Sequence, residues 1–254
     1  MTDHEVSLTQ GVLRSSKRRP FVLKREPRAI AHQLLQRTHQ SQPPTDLEAV
    51  CSVLGDIKIV ADDLEGDGYL LEYPDGSGEV IWNRRDLVTN KWRYTVAHEV
   101  GHWLTNRFAD KSTPSSNFVE FSSEEQLERW CEKFAIALLV PSEWLQRYFG
   151  SELGLREARL FENGPNLFGV SRQAFYSAIF DEYKIAIVVC NLGAKSTIRE
   201  IHPPFLAEPL RKAVAAGRAG HSPTVAPGEV WGPERITIPG SRESIRWIAL
   251  ASTA

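Results

Sequence analysis

Two histidines and a glutamate lie at a spacing that suits a metal ion. The run Ala97-His98-Glu99-Val100-Gly101-His102 places the histidines four residues apart, so both imidazoles project from one face of a helix. Such an HExxH pattern can bind zinc through its histidines. The intervening carboxylate can then take a proton from the attacking water and pass it to a leaving amine. We therefore predict His98 and His102 as metal ligands and Glu99 as the general base.

The surrounding residues predict the helix that must position this motif. Apolar residues recur at helical spacing between about Lys91 and Asn106, and they indicate that the other faces of the helix are buried. These residues are Tyr94, Val96, Ala97, Val100, Trp103 and Leu104. Gly101 lacks a side chain, which lets another backbone approach closely. The alternative, an exposed helix with two ordinary histidines, is disfavoured by these apolar flanks.

A tetrahedral zinc site needs a third protein ligand, and the next predicted helix can supply it. This helix should run from Ser123 to Leu139, with a capping box at its start and Pro141 after its end. Its acidic residues are Glu124, Glu125, Glu128 and Glu132. The first two suit the first helical turn, where the helix dipole favours carboxylates. We therefore predict Glu128 as the third ligand.

Glu132 lies one helical turn after Glu128 on the same face. We expect its carboxylate to accept the second ring N–H of a ligand histidine and so fix the orientation of that ring. The alternative is a surface carboxylate that pairs with Arg129 or Lys133.

The rest of the chain predicts three regions. Residues 1–27 form a basic arm, residues 28–195 form a metallopeptidase-like domain, and residues 196–254 form an extension of unknown role that ends in a β-hairpin. Within the domain, two short helices precede three strands that begin near Ile57, Tyr69 and Glu79, and we expect them to form a small, mostly antiparallel sheet. A further strand follows at 185–190. The predicted fold class is α+β.

The composition restricts the classes of partner. The 254 residues include 30 basic and 32 acidic side chains, and this balance argues against nonspecific binding to DNA or to anionic membranes. Three scattered cysteines give no disulfide framework and no cysteine zinc ribbon. No apolar run of membrane-spanning length occurs. We expect a cytoplasmic protein, and the sequence indicates no oligomeric state.

Three segments resemble the ImmA/IrrE family of metallo-endopeptidases. They are the run from Trp92 to His102, the run from Glu128 to Ala135, and Leu138-Leu139-Val140-Pro141. The likeness extends over about residues 28–190 and implies a zincin-like helical core with a thermolysin-like ligand set. Cys131 and Glu132 stand where the family usually has Ala and Asn. A carboxylate in place of that amide adds negative charge beside the metal.

The same resemblance implies a helix-turn-helix-like segment at about residues 165–183. A DNA-reading helix needs exposed basic or amide side chains. The second helix here carries Phe175, Tyr176, Ile179 and Phe180. We therefore expect this helix to pack within the protein and expect no direct DNA binding.

The resemblance implies a zinc-dependent endopeptidase whose substrate is one protein, a helix-turn-helix transcriptional repressor, so that cleavage switches on a stress or mobile-element response. Manganese and iron remain alternatives to zinc. A second donor should stabilise the oxyanion, and residue type alone suggests Tyr94, Tyr176 or His202. The alternative function is a regulatory DNA- or protein-binding module, including a toxin–antitoxin partner, with a structural zinc site.

Overall fold

A computed structural model describes most of the chain up to Tyr183 and four strands after it. The described residues are 26–108, 121–150, 158–183, 185–191, 198–202, 235–237 and 243–249. Residues 1–25 of the predicted basic arm lie outside these ranges, as does most of the predicted C-terminal extension. Helices and strands are largely segregated along the chain, which confirms the α+β class.

Seven α-helices and one short 3-10 helix occur in the described ranges. The α-helices are α1 (Pro27–Arg37), α2 (Leu47–Leu54), α3 (Lys91–Phe108), α4 (Glu124–Leu139), α5 (Ser142–Phe149), α6 (Ala158–Phe168) and α7 (Arg172–Tyr183). The 3-10 helix, Arg84–Leu87, leads from the sheet into α3. These bounds confirm the predicted helices at the metal motif and at the acidic segment that follows it.

The start of α4 follows its predicted capping chemistry. The Ser123 hydroxyl accepts a hydrogen bond from the backbone N–H of Gln126 at 3.3 Å. In return, the Gln126 side chain accepts from the backbone N–H of Ser122, one residue earlier than a standard capping box uses. This exchange satisfies backbone donors that a helix start leaves unpaired.

The first sheet contains β1 (Ile57–Asp62), β2 (Gly68–Glu72) and β3 (Gly78–Asn83), in the order β1-β3-β2. β2 and β3 form the expected antiparallel hairpin, but β1 pairs with β3 in parallel. The sheet is therefore mixed, and the prediction of a small, mostly antiparallel sheet is corrected for the pair of β1 and β3. The reason is that residue alternation identifies the faces of a strand without identifying the direction of its partner.

The second sheet contains β4 (Ile185–Asn191), β5 (Ile198–His202), β6 (Arg235–Thr237) and β7 (Glu243–Ala249). Its order is β5-β4-β7-β6, and every pair is antiparallel. The predicted strand at 185–190 and the predicted terminal hairpin are thereby confirmed, whereas β5 was not predicted. β4 pairs with β5 and β7, which both lie beyond residue 195. This sheet therefore contains residues from both sides of the predicted boundary between residues 195 and 196, and the boundary itself stays a prediction.

Helix α3 lies at the centre of the core, in contact with the first sheet on one side and with α4 on the other. Its apolar side chains Val96, Ala97, Val100, Trp103 and Leu104 are at most 2% exposed. On α4, the buried set is Trp130, Cys131, Phe134, Ala135, Leu138 and Leu139. Burial of both apolar faces fixes the polar face of α3 relative to that of α4. No helix in the described ranges is long and apolar enough to cross a membrane.

A close approach between α3 and α4 depends on Gly101. A Cβ atom placed on Gly101 would lie 3.2 Å from the Cα, Cβ and Sγ atoms of Cys131. A larger side chain at this position would therefore push α3 and α4 apart, since well-packed cores accommodate added volume only by shifting.

We expect Gly101→Leu to lower the free energy of unfolding by about 1–3 kcal/mol, because overpacking forces side chains and backbone to move. Urea denaturation followed by circular dichroism measures this change. Gly101→Ala is the graded control, since its single methyl group gains up to about 1 kcal/mol of helix propensity that offsets the tighter contact. An unchanged urea midpoint in the leucine variant would contradict this account of the packing.

Candidate metal centre

The two motif histidines converge at the polar face of α3. The Nε2 atoms of His98 and His102 lie 3.1 Å apart. Their side chains are largely buried, with 16% and 19% of their surfaces exposed. The four-residue spacing and the burial of the opposite helix face together produce this arrangement.

Glu128 reaches the same point from α4. Its Oε2 atom lies 3.1 Å from Nε2 of His98, and its Oε1 atom lies 3.2 Å from Nε2 of His102. The three residues form a group whose ligand atoms all lie within 4.8 Å of one another. The structure thus brings together the three residues that the sequence predicted as ligands, although Glu128 lies on a different helix, 26 residues after His102.

The chemistry of this donor set fits a divalent cation. Two imidazole nitrogens and a carboxylate are the His₂Glu ligands found at catalytic zinc sites, which leave the fourth position for water or substrate. Without a cation or a proton, the lone pairs of these atoms would repel one another at such short distances. His98, His102 and Glu128 can therefore hold zinc, and the same donors also accept other transition metals.

Burial tunes two groups at this centre toward their predicted roles. Burial, with the neighbouring imidazole of His102, lowers the pKa of His98 against the opposing effect of Glu128, so its lone pair stays available to a metal. Burial also raises the pKa of Glu99, aided by the charge of Glu128 and opposed by His102. A carboxylate with a raised pKa is a stronger proton acceptor near neutral pH.

A cleft of about 690 Å³ lies beside the centre and is lined by both His98 and Glu99. Its walls are α3, α4 and the beginning of α7, and residues around Asp67 and Thr89 complete the rim. The general base predicted from the sequence therefore faces space that a substrate can enter. A cleft of this volume is within the range of ligand sites in proteins.

Glu132 lines this cleft and makes no hydrogen bond with either histidine in the described part of the chain. The Nδ1 atom of His98 is buried and has no hydrogen-bond partner there. The predicted bond from a ligand ring N–H to Glu132 is thus not formed. One helical turn carries Glu132 away from the histidines, and its charge instead contributes to raising the pKa of Tyr94.

The three candidate oxyanion donors differ in position. Tyr94 lines the cleft, and its ring stacks on that of His98 with 6.0 Å between centroids. Burial raises the pKa of Tyr94, which keeps its hydroxyl group protonated and able to donate. Tyr176 is buried at 1% exposure among the core residues of α7, and the side chain of His202 lies outside the described residues. The structure therefore favours Tyr94 over Tyr176.

The predicted helix-turn-helix-like segment consists of α6, a turn at Gly169 and α7, and α6 begins about seven residues earlier than expected. In α7, Phe175, Tyr176 and Ile179 are at most 1% exposed. These side chains pack in the core, which confirms the expectation that α7 has a packing role. The opposite side of α7 contributes Gln173 and Ser177 to the cleft.

The sequence analysis did not identify Gln173, Ser177, Asp67 or Lys91 as residues of the site. Asp67 and Lys91 form an ion pair at the rim. All four are ordinary polar residues. Asp67, Gln173 and Ser177 are far from the HExxH motif in sequence, and Lys91 lies before the motif, at the beginning of α3. Only their position around the cleft distinguishes them, and no spacing rule could have found them.

Comparisons with known proteins identify the central part of the chain. The peptidase M78 family model, described as an IrrE N-terminal-like domain, matches residues 55–179, which include the motif, Glu128 and most of the helix-turn-helix-like segment. Among solved structures, the chain is similar to a Mycobacterium tuberculosis transcriptional regulator, with 11% sequence identity, a TM-score of 0.47, and coverage of 88% of this chain and 87% of that chain. No curated protein gives a significant match. The chain therefore carries, over residues 55–179, a domain of the ImmA/IrrE family of metallopeptidases.

Proposed function

We propose that the protein is a zinc-dependent endopeptidase that cleaves one intracellular protein, a helix-turn-helix transcriptional repressor, and thereby derepresses a stress or mobile-element response. The observation that carries the proposal is that His98, His102 and Glu128 converge into one group of possible ligands, while His98 and Glu99 line an accessible cleft. The peptidase class is supported by the family, whereas the repressor substrate is an inference from family resemblance alone.

Three features favour a catalytic metal over a structural one. Structural zinc sites usually have four protein ligands, whereas catalytic sites have three and leave one position open. The metal-ligand group among the described residues has three members. His98 and Glu99 also line the cleft, so a metal held by the three residues would be accessible to a substrate bound there. A site that only stabilised the fold would need neither the cleft nor Glu99.

In this mechanism His98, His102 and Glu128 hold the metal. When bound, zinc polarises the scissile carbonyl and lowers the pKa of the attacking water. Glu99 accepts the proton of that water and then delivers it to the leaving amine, which completes the hydrolysis. Tyr94 lines the cleft together with His98, and its hydroxyl group is our candidate to donate a hydrogen bond to the developing oxyanion.

The separation of ligand and base makes Glu99→Gln the most informative substitution. We expect this variant to retain wild-type metal content, because Glu99 is not among the three ligand residues. Its cleavage rate should fall by a factor of about 10² to 10⁴, the usual contribution of a general base. Elemental analysis and cleavage of repressors encoded beside the gene measure the two quantities.

Glu125→Gln is the matched control, since Glu125 is an exposed carboxylate of α4 that pairs with Arg129 outside the cleft. It should leave both metal content and cleavage unchanged. Equal regulatory activity in wild type and Glu99→Gln, with cleavage in neither, would instead support a binding module with a structural metal.

Metal removal should reduce both activity and stability. Dialysis against a chelator should abolish cleavage, and zinc should restore it. At a free zinc concentration of about 100 times the dissociation constant, binding to the folded state alone stabilises a protein by about 2.7 kcal/mol. Differential scanning fluorimetry should therefore show a higher Tm with zinc for wild type. It should show a much smaller shift for His98→Ala, and equal shifts would exclude this site as the source.

A further inference from the structure

Glu132 is a carboxylate of the cleft that the proposed hydrolysis does not use. It lies on α4 one turn after the ligand Glu128 and is exposed to solvent. It lines the cleft together with His98 and Glu99. A charged group in the lining of this cleft can contact a peptide that is bound there.

The charges around the cleft are not balanced. Lys91 is a basic residue of the lining, and its ammonium group already forms an ion pair with Asp67 at the rim. Glu132 forms no ion pair and no side-chain hydrogen bond with any residue that the structure describes. Its sequence neighbours do not neutralise it either, since Arg129 pairs with Glu125 and no ion pair joins Lys133 to Glu132. The cleft therefore presents a negative charge without a counter-charge.

The position of Glu132 sets which substrate residues can reach it. Four residues of helix advance the chain by about 6 Å, so the backbone at Glu132 lies about 6 Å from that at Glu128. An extended peptide advances by about 3.3 Å per residue. A peptide whose scissile bond lies at the metal centre would thus bring a side chain one or two residues away opposite Glu132.

The surroundings of Glu132 suit a long basic side chain. Ile136 lies one turn further along α4 and lines the same cleft, so it offers apolar surface to an aliphatic stem. Gln173 and Ser177 face the cleft from α7 and add uncharged polar groups. A lysine or arginine can pack its methylene groups along this surface and place its charge at the Glu132 carboxylate.

We infer that Glu132 is a specificity-determining residue that selects a lysine or arginine one or two residues from the scissile bond. The inference rests on the proposed function and extends it by naming the substrate class. Glu132 attracts a basic side chain and repels an acidic one, so it discriminates in both directions. It contacts the substrate and takes no part in the proton transfers.

The test measures binding of peptidyl hydroxamates to the zinc-loaded protein by calorimetry, so it does not require turnover. Two series place one variable residue on the N-terminal or the C-terminal side of the hydroxamate, and that residue is lysine, norleucine or glutamate. We expect wild type to bind the lysine probe about three- to fivefold more tightly than the norleucine probe in at least one series, as an accessible ion pair allows. The preference should decrease in 1 M salt.

Two variants and one control make the result specific. Glu132→Gln should abolish the preference for lysine, and Glu132→Lys should favour the glutamate probe, with unchanged metal content in both. Glu125→Gln changes the net charge equally from an exposed position outside the cleft, so it should retain the wild-type preference.

Equal binding of the three probes in both series, or a lysine preference that survives Glu132→Gln, would overturn the inference while leaving the metal centre intact. Failure of zinc-loaded wild type to bind any hydroxamate would overturn the metal centre and the inference together. Binding with the expected preference but without cleavage of any repressor would support the role of Glu132 and contradict only the proposed substrate.

Discussion

The candidate site depends on the contact between α3 and α4, because its three possible metal ligands come together only where the polar faces of these helices meet. His98 and His102 come from one helix and Glu128 from the other, yet their ligand atoms converge within 4.8 Å. Gly101 permits this by presenting bare backbone to Cys131. Burial of the apolar faces of both helices holds the electron-donating atoms together against their mutual repulsion.

The same burial that builds the centre also prepares its chemistry. Removing His98 and Glu99 from water shifts their pKa values in opposite directions, and each shift favours the neutral form of the group. For the imidazole, neutrality preserves the lone pair that a metal requires. For the carboxylate, the shift strengthens proton affinity near neutral pH. Burial of α3 thus both fixes the position of the site and shifts the pKa values of His98 and Glu99.

The helix-turn-helix-like segment illustrates how a local pattern acquires its role from its neighbours. The apolar side of α7, with Phe175 and Ile179, is buried in the core. Its other side supplies Gln173 and Ser177 to the cleft opposite Glu132. In this protein the segment therefore contributes to a wall of the cleft. Lys91 of the cleft lining pairs with Asp67, so the carboxylate of Glu132 is available to a substrate.

The sequence by itself predicted the three residues that converge as a candidate ligand group, and it predicted the main helices, because helical periodicity and the HExxH spacing are local properties of the chain. It also indicated the hairpins. The tertiary structure alone decided that β1 pairs in parallel with β3, that Glu132 faces the cleft without bonding a histidine, and that residues as distant as Asp67 and Ser177 share one cleft. The physical reason is that residue spacing specifies which faces of an element are apolar, whereas only packing specifies which faces meet.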